Sequence, residues 1–116
     1  MEMTKERKNF IMSIYRSYEE NKKLVKFLNT KVGSSLSEGE TEYYGVLKKK
    51  VEVVEKMLLY AELEGLEKKK FVEEYLIKGY SRNRVSVDCF STSRTLLNWE
   101  QRFMALTDNC LSLYGI

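Results

Sequence analysis

The sequence predicts an all-α protein: a long two-helix antiparallel hairpin followed by a three-helix helix-turn-helix unit. Three observations carry this expectation. The 116 residues include no proline and only six glycines, so little interrupts a helix. Apolar residues recur at steps of three and four along two long stretches. In the second half, serines and threonines stand where short helices would need N-caps. The expected boundaries are 1–64 for the hairpin, a packing or oligomerisation element, and 65–116 for the helix-turn-helix unit, within one compact domain.

The first helix is expected from about Thr4 to Asn29. Ile11, Ile14, Tyr18, Val25 and Leu28 make one stripe, with Asn21 in the missing seam position and Arg16, Lys22, Lys23 and Lys26 on the other faces. The stretch KVGSSLSEGE then reads as a loop, at whose end Ser37 and Glu40 have the spacing of a capping box. Tyr44, Leu47, Val51, Val54, Leu58 and Ala61 follow at steps of 3-4-3-4-3, a coiled-coil-like seam. Such a seam closes either on the first helix or on a second chain, and periodicity alone does not choose.

Gly65 marks a break. Leu66, Phe71, Val72, Tyr75 and Leu76 make a shorter helix ending near Lys78-Gly79, where glycine suits a left-handed cap. Ser81 caps a helix over Arg82 to about Phe90, with Val85 and Cys89 inward and Ser86 at the helix crossing. Thr92 or Ser93 caps the last helix, whose inner face is Leu96, Trp99, Phe103 and Leu106. The tyrosines Tyr15, Tyr18, Tyr44 and Tyr75 fall on apolar stripes and are expected to pack with their hydroxyls at the rim.

Composition excludes several function classes. There is no histidine, so no Ser-His or Cys-His nucleophile pair can be assembled, and no Walker loop or GxGxxG segment occurs. Catalysis is not expected. Cys89 and Cys110 match no metal-ligand spacing, so neither a metal nor another cofactor is expected, and both thiols are read as small packing residues. No apolar run approaches the ~18 residues of a membrane span. The opening MEMTKERKNFIM is charged and lacks a secretory apolar core, so a cytoplasmic location and no membrane partner are expected.

The net charge of +3 is mild, but it is unevenly placed. Residues 1–35 carry eight basic and four acidic groups, and residues 36–65 carry four and seven. From Lys78 to Arg102 five basic residues face only Asp88 and Glu100. A basic arm, an acidic middle and a basic C-terminal element suit docking on a polyanion, or pairing between helices.

In the last helix the buried row leaves Ser93, Arg94, Asn98, Gln101 and Arg102 outward, the side-chain types that bond phosphates and base edges. Arg82 and Arg84, opening the preceding helix, are placed to hold the phosphate backbone. Phe71-Val72, Tyr75 and the run Thr92-Ser93-Arg94-Thr95 lie within a longer stretch, Phe71 to Asn109. That stretch resembles the C-terminal region of the RinA/ArpU group of phage transcriptional activators. It is similar, more distantly, to the last DNA-binding region of bacterial sigma factors. The preceding seam, Val51 to Leu63, also resembles the helix leading into this unit.

The resemblance implies a phage or prophage regulator that binds double-stranded DNA, with Arg94, Thr95 and Asn98 at base-reading positions. Two positions depart from the pattern: Phe90-Ser91 occupy the turn where the group has a glycine or polar residue followed by an aliphatic one, and Leu97 sits outward. A homodimer through the hairpin seam would place two reading helices about one duplex turn apart. The alternatives are a phage factor that binds or inhibits a host protein, RNA polymerase or another, and the small subunit of a packaging terminase.

Overall fold

The structure, a computed structural model, describes residues 3–30 and 36–116. Of the loop expected after the first helix, residues 31–35 lie outside the described residues. Every regular element described is helical: α1 Lys5–Arg16, α2 Tyr18–Asn29, α3 Glu38–Glu64, α4 Leu66–Phe71 with a π-helical continuation Val72–Ile77, α5 Arg82–Asp88 and α6 Ser93–Leu113. The all-α expectation holds. No described helix is long and apolar enough to cross a membrane.

The expected first helix is divided. At Ser17 the backbone leaves helical geometry (φ −95°, ψ 5°), and the Ser17 hydroxyl donates to the Ser13 carbonyl one turn back. Such back-bonding competes with the helix ladder and bends it. The bend sends α1 and α2 to different partners. α2 runs antiparallel along α3, with the Tyr18 hydroxyl on Glu55 (3.2 Å) near one end and the Tyr44 hydroxyl on Asn29 near the other. Burial of Leu47, Val51, Val54 and Ala61 shows that the α3 seam is filled within one chain.

α1 instead joins the C-terminal helices. The buried Tyr15 hydroxyl meets Thr107 Oγ1 at 2.6 Å. Thr107 donates its single hydroxyl proton to the Phe103 carbonyl, so Tyr15 is the donor in this pair. Tyr15 therefore lies wholly inside, not at the rim as expected. Arg16 is exposed, as its place off the apolar stripe implies, yet its guanidinium is engaged within the chain. Its Nε donates to the Leu76 carbonyl at 2.9 Å and a second guanidinium nitrogen lies 3.3 Å from the Tyr75 carbonyl, which satisfies carbonyls that the end of a helix leaves open. A Cβ at Gly79, where φ is +76°, would approach that guanidinium to 2.7 Å. Both the left-handed turn and the close approach require glycine there.

Other punctuation falls as expected. Ser37 and Glu40 form the capping box, Ser81 caps α5 and Thr92 caps α6. The centre of the C-terminal half is Phe71, fully buried. Its ring stacks on Tyr75 (5.2 Å between centroids), meets Trp99 edge-on (5.7 Å) and lies 6.2 Å from Phe103. Val72, Leu76, Val85, Cys89 and Leu96 close around this cluster. Trp99 and Leu106 are only half-buried on the inner row of α6, while Thr107 and Leu111 are fully enclosed.

Truncating the hub removes contacts to the π-helical segment and to α6 at once. Phe71→Ala is expected to lower unfolding free energy by roughly 3–5 kcal/mol. Trp99→Ala should cost less, because part of its ring already lies in water. Urea denaturation of the two variants checks the order, and equal losses would place Trp99 as deep as Phe71.

Candidate nucleic-acid interface

α6 opens after a four-residue turn, Cys89 to Thr92. Phe90 takes a left-handed conformation (φ 51°) and is 91% exposed. A glycine adopts that geometry freely, whereas a bulky side chain pays for it. Around it the turn is well bonded: the Ser86 hydroxyl donates to the Ser91 carbonyl, the Ser91 amide to the Ser86 carbonyl (3.0 Å) and the Thr95 amide to Thr92 Oγ1 (3.1 Å). Ser86 is thus the hinge pin of the turn as well as the small residue at the crossing.

Cys89 is buried and its thiol lies 3.4 Å from the Glu67 carbonyl. Burial pushes that thiol up to about 11, so at neutral pH it is a packing group and not a reactive thiolate. Cys110 is also free.

The eight sequence-predicted contact residues separate into three groups. Ser93, Arg94, Asn98 and Gln101 lie exposed along one side of α6, and none of them forms an ion pair with another described residue. The helix N-terminus beneath them adds its positive dipole end. Arg84 is exposed, with its guanidinium 3.8 Å from the Tyr80 ring centroid and 4.0 Å from Asp88. Stacking on an aromatic face holds it beside the turn.

The polar groups of the remaining three are occupied by partners within the chain. Thr95 is half-buried and its hydroxyl pairs with that of Thr92 at 3.0 Å. Arg82 spans Glu100 (3.0 Å) and the Tyr75 hydroxyl (3.1 Å), tying α5 to α6 and to the π-helical segment. Arg102 forks onto both Glu64 oxygens and also reaches the Tyr60 hydroxyl (2.9 Å), so it ties α6 to α3. The Arg102 guanidinium, with Lys68 assisting, holds the Glu64 carboxyl below its ordinary range.

Sequence reasoning missed a carboxyl pair at the joint between the π-helical segment and α5. Glu74 Oε1 is buried without a hydrogen-bond partner. Burial first, and the neighbouring Asp88 second, hold the Glu74 carboxyl above its ordinary range. Its spacing from Asp88 in the chain gives no hint of this. A second missed feature is a groove of about 610 Å³ between α1 and α6, lined by Met3, Lys8, Asn9, Met12, Leu97, Met104 and Ala105 among others. Leu97, which stood outward without a role in the sequence, forms part of its wall.

No protein-family model matches the chain, and no curated protein or solved structure matches it significantly.

Two outcomes test the local chemistry. Phe90→Gly relieves the left-handed strain and sacrifices no packing, so it is expected to stabilise by up to about 1 kcal/mol in thermal unfolding. Glu74 has a folded-state value above its unfolded one, so folding favours its protonated form. The stability this allows is full below the ordinary carboxylate range and falls as pH rises through the raised value. Glu74→Gln is therefore expected to raise the melting temperature at pH 7 and to change it much less at pH 4. An equal gain at both pH values would trace the effect to packing.

Proposed function

We propose that the chain is a sequence-reading DNA-binding protein in which α5, the turn and α6 act as a helix-turn-helix. The observation that supports this most is the charge arrangement of α6. Its outward row Ser93, Arg94, Asn98 and Gln101 contains no carboxylate. The two acidic residues of α6 are each neutralised by an arginine, Glu100 by Arg82 (3.0 Å) and Asp108 by Arg7 (2.6 Å). A polyanion approaching this row meets one guanidinium, a hydroxyl and two amides.

In this reading Arg94 and Asn98 contact base edges, guanine and adenine respectively being their best partners. Arg84, Ser93 and the α6 N-terminus hold phosphates. Arg82 and Arg102 are positioning residues, since their guanidinium groups are occupied within the chain. Regulation of phage genes is the biological setting that the sequence resemblance supports. A second reading, docking of a protein partner, is favoured by the apolar groove beside the same row.

The decisive measurement is fluorescence anisotropy of random-sequence duplex DNA titrated at low and moderate salt. The expected result is binding with Kd of about 1–100 μM that weakens steeply as salt rises. Arg94→Ala and Asn98→Ala should each lose ~1–3 kcal/mol of specific affinity once a preferred sequence is selected, at unchanged melting temperature. Arg102→Ala should instead lower the melting temperature. No binding at low salt, or an Arg94→Ala variant that binds like the parent, would sink the DNA reading.

A further inference from the structure

The turn between α5 and α6 holds a strained arrangement that packing does not explain. Phe90 has a left-handed backbone (φ 51°), which disfavours a bulky side chain, yet its ring is 91% exposed and takes no part in the core formed by the described residues. The backbone on either side is fixed. Cys89 turns inward and its amide donates to the Val85 carbonyl (2.8 Å), the Phe90 amide donates to the Val87 carbonyl (3.2 Å) and the Ser91 amide to the Ser86 carbonyl (3.0 Å). A firmly held turn thus presents an aromatic ring to solvent against local preference. Strain kept in this way points to a function of the strained residue.

The surroundings indicate what the ring meets. Arg84, Val87 and Phe90 follow one another at steps of three, and all are exposed, Val87 by 73%. Arg94 comes four residues after Phe90, on the exposed row of α6. Asp88 is the one carboxylate from Ser81 to Thr95; it is half-buried and lies beside Arg84 (4.0 Å) and Glu74. An apolar tip between two exposed guanidinium groups suits an anionic partner that carries isolated apolar groups within a polar surface. The major groove of duplex DNA has this composition, with phosphates at its rims and, among its polar base edges, the C5-methyl group of each thymine.

We propose that the Phe90 ring packs on the C5-methyl group of a thymine beside the base read by Arg94, and so sets specificity at that position. This rests on the DNA-binding reading of α5 and α6, and it names one base that the reading leaves open. The strain persists because glycine, although freer at this backbone position, has no side chain to place against the methyl group. Stability and affinity therefore oppose each other at residue 90, a trade expected at a binding position and not at a packing one.

The test uses the full chain and the duplex it selects from a random-sequence pool, with each thymine replaced in turn by deoxyuridine, which lacks only the methyl group. At one position the parent is expected to lose about fourfold in affinity, the effect of one methyl group returned to water. Phe90→Gly is expected to bind the selected duplex at least about fourfold more weakly, to treat thymine and uracil alike at that position, and to melt higher than the parent. Weaker binding by a more stable variant excludes a damaged fold as the cause. Arg94→Ala should lose overall affinity and keep the thymine preference. If the parent and Phe90→Gly respond alike to every deoxyuridine, or Phe90→Gly binds like the parent, the thymine contact is overturned and the DNA-binding reading stands. A parent that binds no duplex overturns both, and leaves the Val87–Phe90 tip to a protein partner.

Discussion

The position of α6 depends on one buried ring. Phe71 sits where α4 passes into its π-helical continuation and touches Tyr75, Trp99 and Phe103. Tyr60 of α3 reaches the same cluster edge-on through Phe103, 6.4 Å between centroids. Aromatic pairs of this kind add directional preference to area burial, so the cluster sets the rotation of α6 about its own axis as well as its distance from α3. Which α6 residues face outward follows from that rotation. The Tyr15–Thr107–Phe103 hydroxyl chain fixes the same helix from the α1 side. A helix locked on two sides presents Arg94, Asn98 and Gln101 with little freedom to turn them inward.

Charge is organised by the same helices. The sequence holds six arginines, and four are bonded to partners within the chain. Arg7 pairs with Asp108, Arg82 with Glu100 and Arg102 with Glu64, while Arg16 bonds the carbonyls of Tyr75 and Leu76. Guanidinium groups suit this work because their planar fork bonds two acceptors at once. The cationic capacity left for an external anion near α6 is therefore smaller than the composition of its segment suggests. It is concentrated at Arg84 and Arg94. In the proposed DNA-binding reading so few free cations make placement count for more than total charge, and the salt dependence of binding reports how many phosphates those cations reach.

The two halves of the chain are less separate than their periodicities suggest. The bend at Ser17 lets one N-terminal segment serve two partners: α2 fills the α3 seam, while α1 packs against α6 and the π-helical segment. Between α1 and α6 this leaves the methionine-lined groove, which is a consequence of how the first helix is divided.

Local chemistry was legible in the sequence wherever a few adjacent residues decide the outcome. The caps at Ser37, Ser81 and Thr92, the glycine breaks at Gly65 and Gly79, the 3-4 seam of α3 and the inward Val85 and Cys89 all follow from propensity and spacing. So does the exposed row Ser93, Arg94, Asn98 and Gln101, because once Leu96 and Phe103 are buried the opposite side of a helix must face out. Only the tertiary structure decided the rest. That Arg16, Arg82 and Arg102 find bonding partners within the chain, that Tyr15 is enclosed, that Glu74 meets Asp88 and that Leu97 walls a groove all depend on residues distant in the chain. Periodicity says which side of a helix is apolar. It carries no information about which carboxylate or carbonyl another helix brings to the polar side, and that long-range pairing fixes which charges remain free to act.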